Sequence, residues 1–248
     1  MNILVCISCV PDTTSKINFK EGNSSFDSQG VQFVINPNDE FGLTRAIWLQ
    51  QKSGAKVTVV TVGDESCDPI LRKCLAIGAD QALRVNIQAK DGFQVASVLS
   101  TICKDKNYDL IITGRESIDY NGGMVGGILA TLCEMPYLAN CIHLEIDGNK
   151  VDLQREIDGG KESLKASLPV IIGSQKGLVE EKDLLIPNMR GIMQARQKPL
   201  EVISPNEIKP ATEILTFKKP DEKGPVKLVD SDNIDELIKL LENEAKVL

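Results

Sequence analysis

The chain has 248 residues, 42% hydrophobic and 25% charged, with a formal net charge of −7. That is the make-up of a globular protein able to bury a sizeable core in one large domain, or in one domain with an extension. The acidic balance argues against nucleic acid or an anionic membrane surface as main partner, and no apolar run approaches the roughly 18 residues that suggest a membrane span.

The first residues, MNILVCISCVPD, are strand-like and carry neither a basic n-region nor a small-residue cleavage site, so a cytoplasmic protein is expected. Residues 2–7 read as a short buried strand. A polar stretch to Phe33 leaves room for a small hairpin around residues 16–19 and 26–30. INPNDE (35–40) marks a helix start, with Asn or Asp as cap and acids in the first turn, and Ser53-Gly54 marks its end. KVTVVTV (56–62) is β-branched on both faces, as a strand covered on both sides must be. The alternation continues with a helix over 69–76, a strand over 81–85, a helix over 92–104 and a buried strand over 108–113. The glycine-rich stretch GRESIDYNGGMVGGILA (114–130) follows, opening a helix from about residue 123. Such alternation predicts a parallel sheet with right-handed crossovers and a ligand site at the strands' carboxyl ends. Cys6 to Val10, Val62-Gly63 and Gly114 onward would then share one edge.

After Pro136 the pattern changes. Residues 139–146 and 150–157 alternate around an Asp147-Gly148 turn, and 162–166 with 169–173 continue as strands, so an antiparallel edge is expected. A basic helical stretch covers 189–198. Beyond it, Pro205, Pro210, Pro220 and Pro225 interrupt regular structure. The chain ends on a helical stripe of Ile234, Leu237, Ile238, Leu241 and Ala245. This divides the chain into an α/β core over 1–198 and an extended arm over 199–248, and such an arm embraces something else rather than burying itself.

Seven cysteines, several inside apolar runs, read as reduced small hydrophobes. Cys6-Ile-Ser-Cys9 is formally CxxC, but Cys6 belongs to a strand and Pro11 follows, unlike a redox pair at a helix start. The single histidine, His143, alternates in a strand and supports no histidine triad or metal cluster. Glu116 and Asp119 are the nearest acid pair, with no base, nucleophile or metal cluster beside them, so no catalytic constellation is expected. The short basic run from Arg190 to Lys198 lacks interleaved aromatics and suits a solvated or protein-docking face. The glycines of 121–127 suit close approach of backbone amides to a phosphate at a helix start. They suit a tight left-handed turn with close helix packing equally well. A stand-alone nucleotide-binding or nucleotide-hydrolysing protein, and a glycine loop that is only packing, both stay open on these residues.

Taken together, ILVCI (3–7) with VPD (10–12), INPND (35–39), LAIGAD (75–80), DLIITGRESID (109–119), REIDGG (155–160) with LPV (168–170), and MRGIMQARQKP (189–199) resemble the electron transfer flavoprotein beta subunit family over nearly the whole chain. The resemblance implies a three-layer Rossmann-like α/β fold of the adenine nucleotide alpha hydrolase type, with a mostly parallel sheet, an antiparallel edge and an extended C-terminal arm packing on a partner. That partner is the alpha subunit, which mainly holds the redox-active FAD. Electrons arrive from acyl-CoA or other flavin dehydrogenases and leave to a quinone-reducing acceptor. The beta subunit is not an enzyme in its own right and buries a structural AMP. Residue by residue, Cys6 backbone lies at the AMP base, Asn36, Pro37, Asn38 and Asp39 beside it, and Val62 at the third strand end. Gly114, Arg115, Glu116, Ser117, Ile118, Asp119, Tyr120, Asn121, Gly122, Gly123, Met124 and Val125 surround ribose and phosphate. Glu156 matches a contact to the mobile flavin domain of the alpha subunit. The segment 183–193 matches the dehydrogenase-docking loop, with Met189 as apolar anchor among Arg190, Ile192 and Met193.

Departures from the pattern concentrate in the loop. Tyr120, Gly122, Gly123 and Met124 stand where many relatives are polar or acidic, and Val125 where threonine is common, leaving backbone amides to bind phosphate. The room made by these glycines admits a second FAD, as in electron-bifurcating relatives, although the Asp-Gly-Asp pattern associated with them is missing. AMP is the favoured occupant. Ser8-Cys9 replaces residues that many relatives have as basic, which leaves open the contact near the partner's flavin.

Overall fold

The computed structural model describes residues 1–222 and 224–248. The chain begins with β1 (Asn2–Cys6) and β2 (Cys9–Pro11), a small hairpin of β3 (Phe19–Lys20) and β4 (Ser25–Phe26), and β5 (Phe33–Ile35). There follow α1 (Pro37–Ser53), β6 (Lys56–Val62), α2 (Asp68–Ile77), β7 (Gln81–Val85), α3 (Gly92–Asp105), β8 (Leu110–Gly114) and α4 (Val125–Cys133). Then come β9 (Tyr137–Asp147), β10 (Lys150–Ile157), β11 (Gly160–Ser167), β12 (Val170–Ser174), α5 (Met189–Ala195), β13 (Leu200–Ile203) and α6 (Ile234–Leu240).

Nine strands form the main sheet in the order β11-β10-β9-β12-β8-β1-β6-β7-β13. From β9 to β13 every neighbouring pair is parallel, while β9, β10 and β11 pair antiparallel at the other edge. This is the expected Rossmann-like three-layer arrangement with an antiparallel edge. Two-sided burial explains the continuous apolar strands. Ile3, Val5, Val57, Val59 and Ile112 face Leu43, Ile47, Leu71 and Leu75 of α1 and α2. Leu4, Cys6, Val60 and Ile111 face Ala96, Leu99, Leu129 and Ala130 of α3 and α4. The chain leaves β1 toward β6 and β7, then returns across the sheet to β8 on the other side of β1. That reversal opens a crevice beyond the carboxyl ends of β1 and β8, where doubly wound sheets take their ligands.

The sheet extends beyond residue 198. Pro199 is followed by β13, which pairs with β7 in parallel from Leu200↔Ala82 to Ile203↔Val85. The four residues of β13 carry little periodicity, and pairing with an already formed edge gives them their structure. The chain beyond β13 is tied down at two stations. Asp91 accepts from the amides of Ala211 and Thr212 (both 2.7 Å), beside a 2.6 Å bond from Gln94 Nε2 to the Ile208 carbonyl. Phe217 then stacks on Phe19 of the small hairpin with centroids 4.7 Å apart. Further on, Leu228 is 89% exposed, and Ile234, Leu237 and Ile238 of α6 are exposed as well. No helix among the described residues is long and apolar enough to cross a membrane.

Gly42 lets α1 lie close on the sheet: a Cβ there would sit 2.6 Å from Ile112 Cγ2 and 2.7 Å from Ser174 Oγ. Helix propensity alone would make Gly42→Ala stabilising by about 1 kcal/mol. Overpacking should reverse the sign, so that urea unfolding shows a loss of about 1–3 kcal/mol.

Candidate nucleotide-binding site

Asn36 stands at the N-cap of α1, but its side chain makes no cap bond. Its backbone carbonyl accepts from Asp39 and Glu40 amides at 2.9 and 3.2 Å, which frees the amide side chain for the neighbouring loop. Nδ2 donates to the Glu116 carbonyl (2.9 Å) and to Asp39 Oδ1 (3.0 Å), while Oδ1 accepts from the Ile118 amide (3.3 Å). Asn38 Nδ2 donates to the same Glu116 carbonyl at 3.1 Å. The expected cap has become a bracket holding the loop after β8.

Asp39, one turn into α1, is 2% exposed. Its Oδ2 accepts from the Ser8 amide beyond β1 at 2.7 Å, and its Oδ1 accepts from Asn36 Nδ2 at 3.0 Å and lies against Gly114 at the end of β8. Burial pushes this carboxyl up to about 7, against the hydrogen bonds that pull it down. A Cβ at Gly114 would overlap Asp39 Oδ1, so glycine is required there for close approach. One carboxylate therefore joins the ends of β1 and β8 to the start of α1. Ser174 at the end of β12 adds a fourth element, its hydroxyl reaching the Asn38 carbonyl at 2.8 Å and the Thr113 carbonyl at 3.0 Å.

From Ser117 to Gly122 the loop closes on itself, each amide donating to the other's carbonyl. The left-handed residue of this turn is Asn121, with φ 49°; none of the loop glycines has a positive φ. Their reasons differ. Gly126 is a packing residue, because a Cβ would lie 2.6 Å from Tyr137 Oη and 2.8 Å from Thr113 Oγ1. At Gly122 a Cβ would meet nothing nearer than Ser117 Oγ at 3.9 Å. Helix α4 then starts at Val125 with Met124 as an N-cap lacking any side-chain bond. Its first-turn amides have no intrahelical acceptor and face the partial positive end of the dipole, which suits an anion.

A family model for the electron transfer flavoprotein domain matches residues 24–208. The electron transfer flavoprotein subunit beta of Bacillus subtilis (strain 168) is 34% identical over 262 residues, covering all of both chains. The chain belongs to the electron transfer flavoprotein beta-subunit family. The proteins named electron transfer flavoprotein subunit beta of Syntrophomonas wolfei (31% identical, 100% of this chain and 98% of the relative) and of Homo sapiens (30%, 84% and 83%) are similar to it as well. Its role is in electron transfer, as a carrier subunit.

Of the residues the family pattern implies, Asn36, Asn38, Asp39, Glu116 and Ile118 meet in one hydrogen-bonded cluster, with Gly114 packed against Asp39. Pro37 is the first residue of α1, while Cys6 and Val62 end β1 and β6, two paired strands. Among the described residues the Asp119 side chain hydrogen-bonds only to its neighbour, accepting from the Tyr120 amide, and Tyr120 and Met124 are 64% and 54% exposed. Arg115 turns the other way: Nη2 pairs with Glu116 (3.0 Å) and Nη1 donates to Gln175 Oε1 (3.2 Å), whose Nε2 donates to Glu156 (2.6 Å). Glu156 is thus tied to the loop and not to α5, whose Met189, Ile192 and Met193 are exposed above α2. Sequence reasoning placed Ser8 at the strand-end edge without a role, and missed Ser174 and Gln175 as parts of the site. A signal for the last two exists: a polar pair ends the apolar run Val170-Ile-Ile-Gly. All seven cysteines are free, including Cys6 and Cys9.

Raised by burial, the Asp39 carboxyl releases its proton at about 7 in the folded chain, against 3.8 for an ordinary aspartate. The folded state binds the extra proton between those values, so stability falls as pH rises through that window and levels above it. In Asp39→Asn, neutral throughout, this decline should vanish. The wild-type melting temperature minus that of the variant should therefore drop between about pH 4 and pH 7 and then flatten; a difference independent of pH would refute the assignment.

Proposed function

We propose that the chain works in the cytoplasm as the beta subunit of a heterodimer that carries electrons from flavin dehydrogenases to a downstream acceptor, with AMP as a structural nucleotide in the slot between β1, β8 and α4. The observation that carries this reading is the loop after β8. It is bracketed by Asn36, Asn38 and Asp39, yet Gly122 is demanded neither by backbone conformation nor by crowding. Bare backbone next to open space and a helix start is what a phosphate needs. In this reading the first-turn amides of α4 hold the phosphate, Asn121 to Gly123 line the ribose side, and Cys6 and Val62 give the adenine an apolar floor.

AMP bound only to the folded form stabilises it by mass action, about 2.7 kcal/mol at a hundred times the dissociation constant. FAD, held mainly by the alpha subunit, supplies the redox chemistry. Glu156 presents a carboxylate to the flavin domain, oriented by Gln175 and Arg115. The exposed apolar side chains of α5, with Arg190 beside them, suit transient docking of a flavin dehydrogenase. The open space at Gly122 also supports a second reading, in which a larger FAD fills the slot and the complex bifurcates electrons.

Nucleotide content separates the two. The heterodimer, purified and denatured, should release one FAD and one AMP. Two FAD would establish the bifurcating reading, and no adenine nucleotide beyond one FAD would overturn the slot. For docking, Met189→Ala should lower the affinity for a dehydrogenase about 10-fold or more, as loss of an interface anchor does, with FAD and AMP content intact. Unchanged kinetics would remove Met189 from that role.

A further inference from the structure

Helix α5 is only seven residues long, and Ala195 is its single buried residue. Its exposed surface carries Met189 at 76% and Met193 at 69% exposure, flanked by Ile186 at 81%. A helix this short does not hold its shape in water by itself. Two cations on either side of its contact with α2 supply what the core does not.

Arg72, in the middle of α2, sends Nη1 to the carbonyls of Ala195 and Lys198 at 2.7 and 2.8 Å, the carbonyl end of α5. In return, Lys198 sends Nζ to the carbonyls of Leu75 (3.0 Å), Gly78 (3.4 Å) and Ala79 (2.6 Å), the carbonyl end of α2. Each helix thus has its negative dipole end closed by a cation from the other segment, the arrangement in which such charges help most. Between the two caps the backbones touch: a Cβ at Gly191 would overlap the Ala76 carbonyl oxygen. At the opposite end, Asn188 Oδ1 accepts from the Gly191 amide at 2.8 Å and closes the start of α5.

We propose that Arg72 and Lys198, with Gly191 between them, are positioning residues for dehydrogenase docking, locking α5 to α2 so that its methionines are presented in a fixed frame. This rests on the reading of α5 as the docking face. None of the three needs to touch the partner. Fixing the backbone before the encounter lowers the ordering cost of binding, while flexible methionines still adapt to the partner's surface.

The test uses the full heterodimer with a flavin dehydrogenase as donor. Lys198→Met keeps the aliphatic stem and loses the donors. It should raise KM for the dehydrogenase about 10-fold, leave the limiting rate within about twofold, and speed hydrogen exchange at residues 189–198 with FAD and nucleotide content unchanged. Lys198→Arg, which keeps charge and donors, should recover most of the loss. If Lys198→Met does not assemble, Arg72→Lys, which keeps the charge but not the reach to both carbonyls, is read in the same way. Faster exchange in α5 with an unchanged KM overturns the proposal, as does unchanged exchange. Met189→Ala measured alongside separates the two ideas. If it has no effect, the docking face is wrong; if it weakens docking while Lys198→Met does not, only the lock is wrong.

Discussion

The Asp39 carboxylate is the point on which the site depends, because the strand ends and the helix start it joins come from distant parts of the chain. It accepts from the Ser8 amide and the Asn36 side chain and packs directly against Gly114. Burying a charge costs several kcal/mol, and charge-assisted hydrogen bonds of about 1.5–3 kcal/mol each return a comparable amount. The balance leaves little net stability and much geometrical definition. Removing the carboxylate would leave the Ser8 amide without its acceptor, and the bracket from Asn36 to Glu116 would lose its anchor. Glycine at 114 is the complement of this contact, since any side chain would displace the acid.

Around that point the sheet separates three tasks. The crevice at β1 and β8, in the middle, is where the proposed nucleotide slot lies. Toward the antiparallel edge, the chain of bonds from Arg115 through Gln175 to Glu156 connects the loop to the surface facing the flavin domain in the proposed assembly. Toward β7 and β13, α5 sits on α2 and shows its apolar side chains outward. These surfaces share one rigid sheet, so a partner at either end meets a frame set by the same core. The remaining apolar exposure lies in the arm, at Val226, Leu228 and the stripe of α6. That distribution fits an arm whose packing partner is another chain.

The fold was legible because burial on both faces forces a recognisable pattern: KVTVVTV, LIIT and the helices between them admit few alternatives. β13 was not, since four residues between two prolines gain their structure only from the edge of β7. In the site, the rule that ligands gather at strand ends brought together residues 6–10, 62–63 and the loop after β8, while Asn36 and Asp39 joined them only through the family resemblance. The use of each side chain did not follow. Asn36 reads as a helix cap in sequence, and only the approach of Glu116 and Ile118, some eighty residues away, redirects it. The loop glycines look alike in sequence but divide in space: Gly126 packs against Tyr137, whereas Gly122 borders open room. The turn itself relies on Asn121, which sequence reasoning treated as one more member of the run.

Adenine nucleotide content of the heterodimer carrying Asp39→Ala is the most direct measurement of whether this clamp builds the slot. FAD, which the proposed assembly holds mainly in the alpha subunit, serves as an internal reference for assembly. Loss of AMP, with FAD retained at one per heterodimer, is the predicted result. Full AMP content in that variant would contradict it, and would show that the loop after β8 keeps its nucleotide without the carboxylate that gathers it.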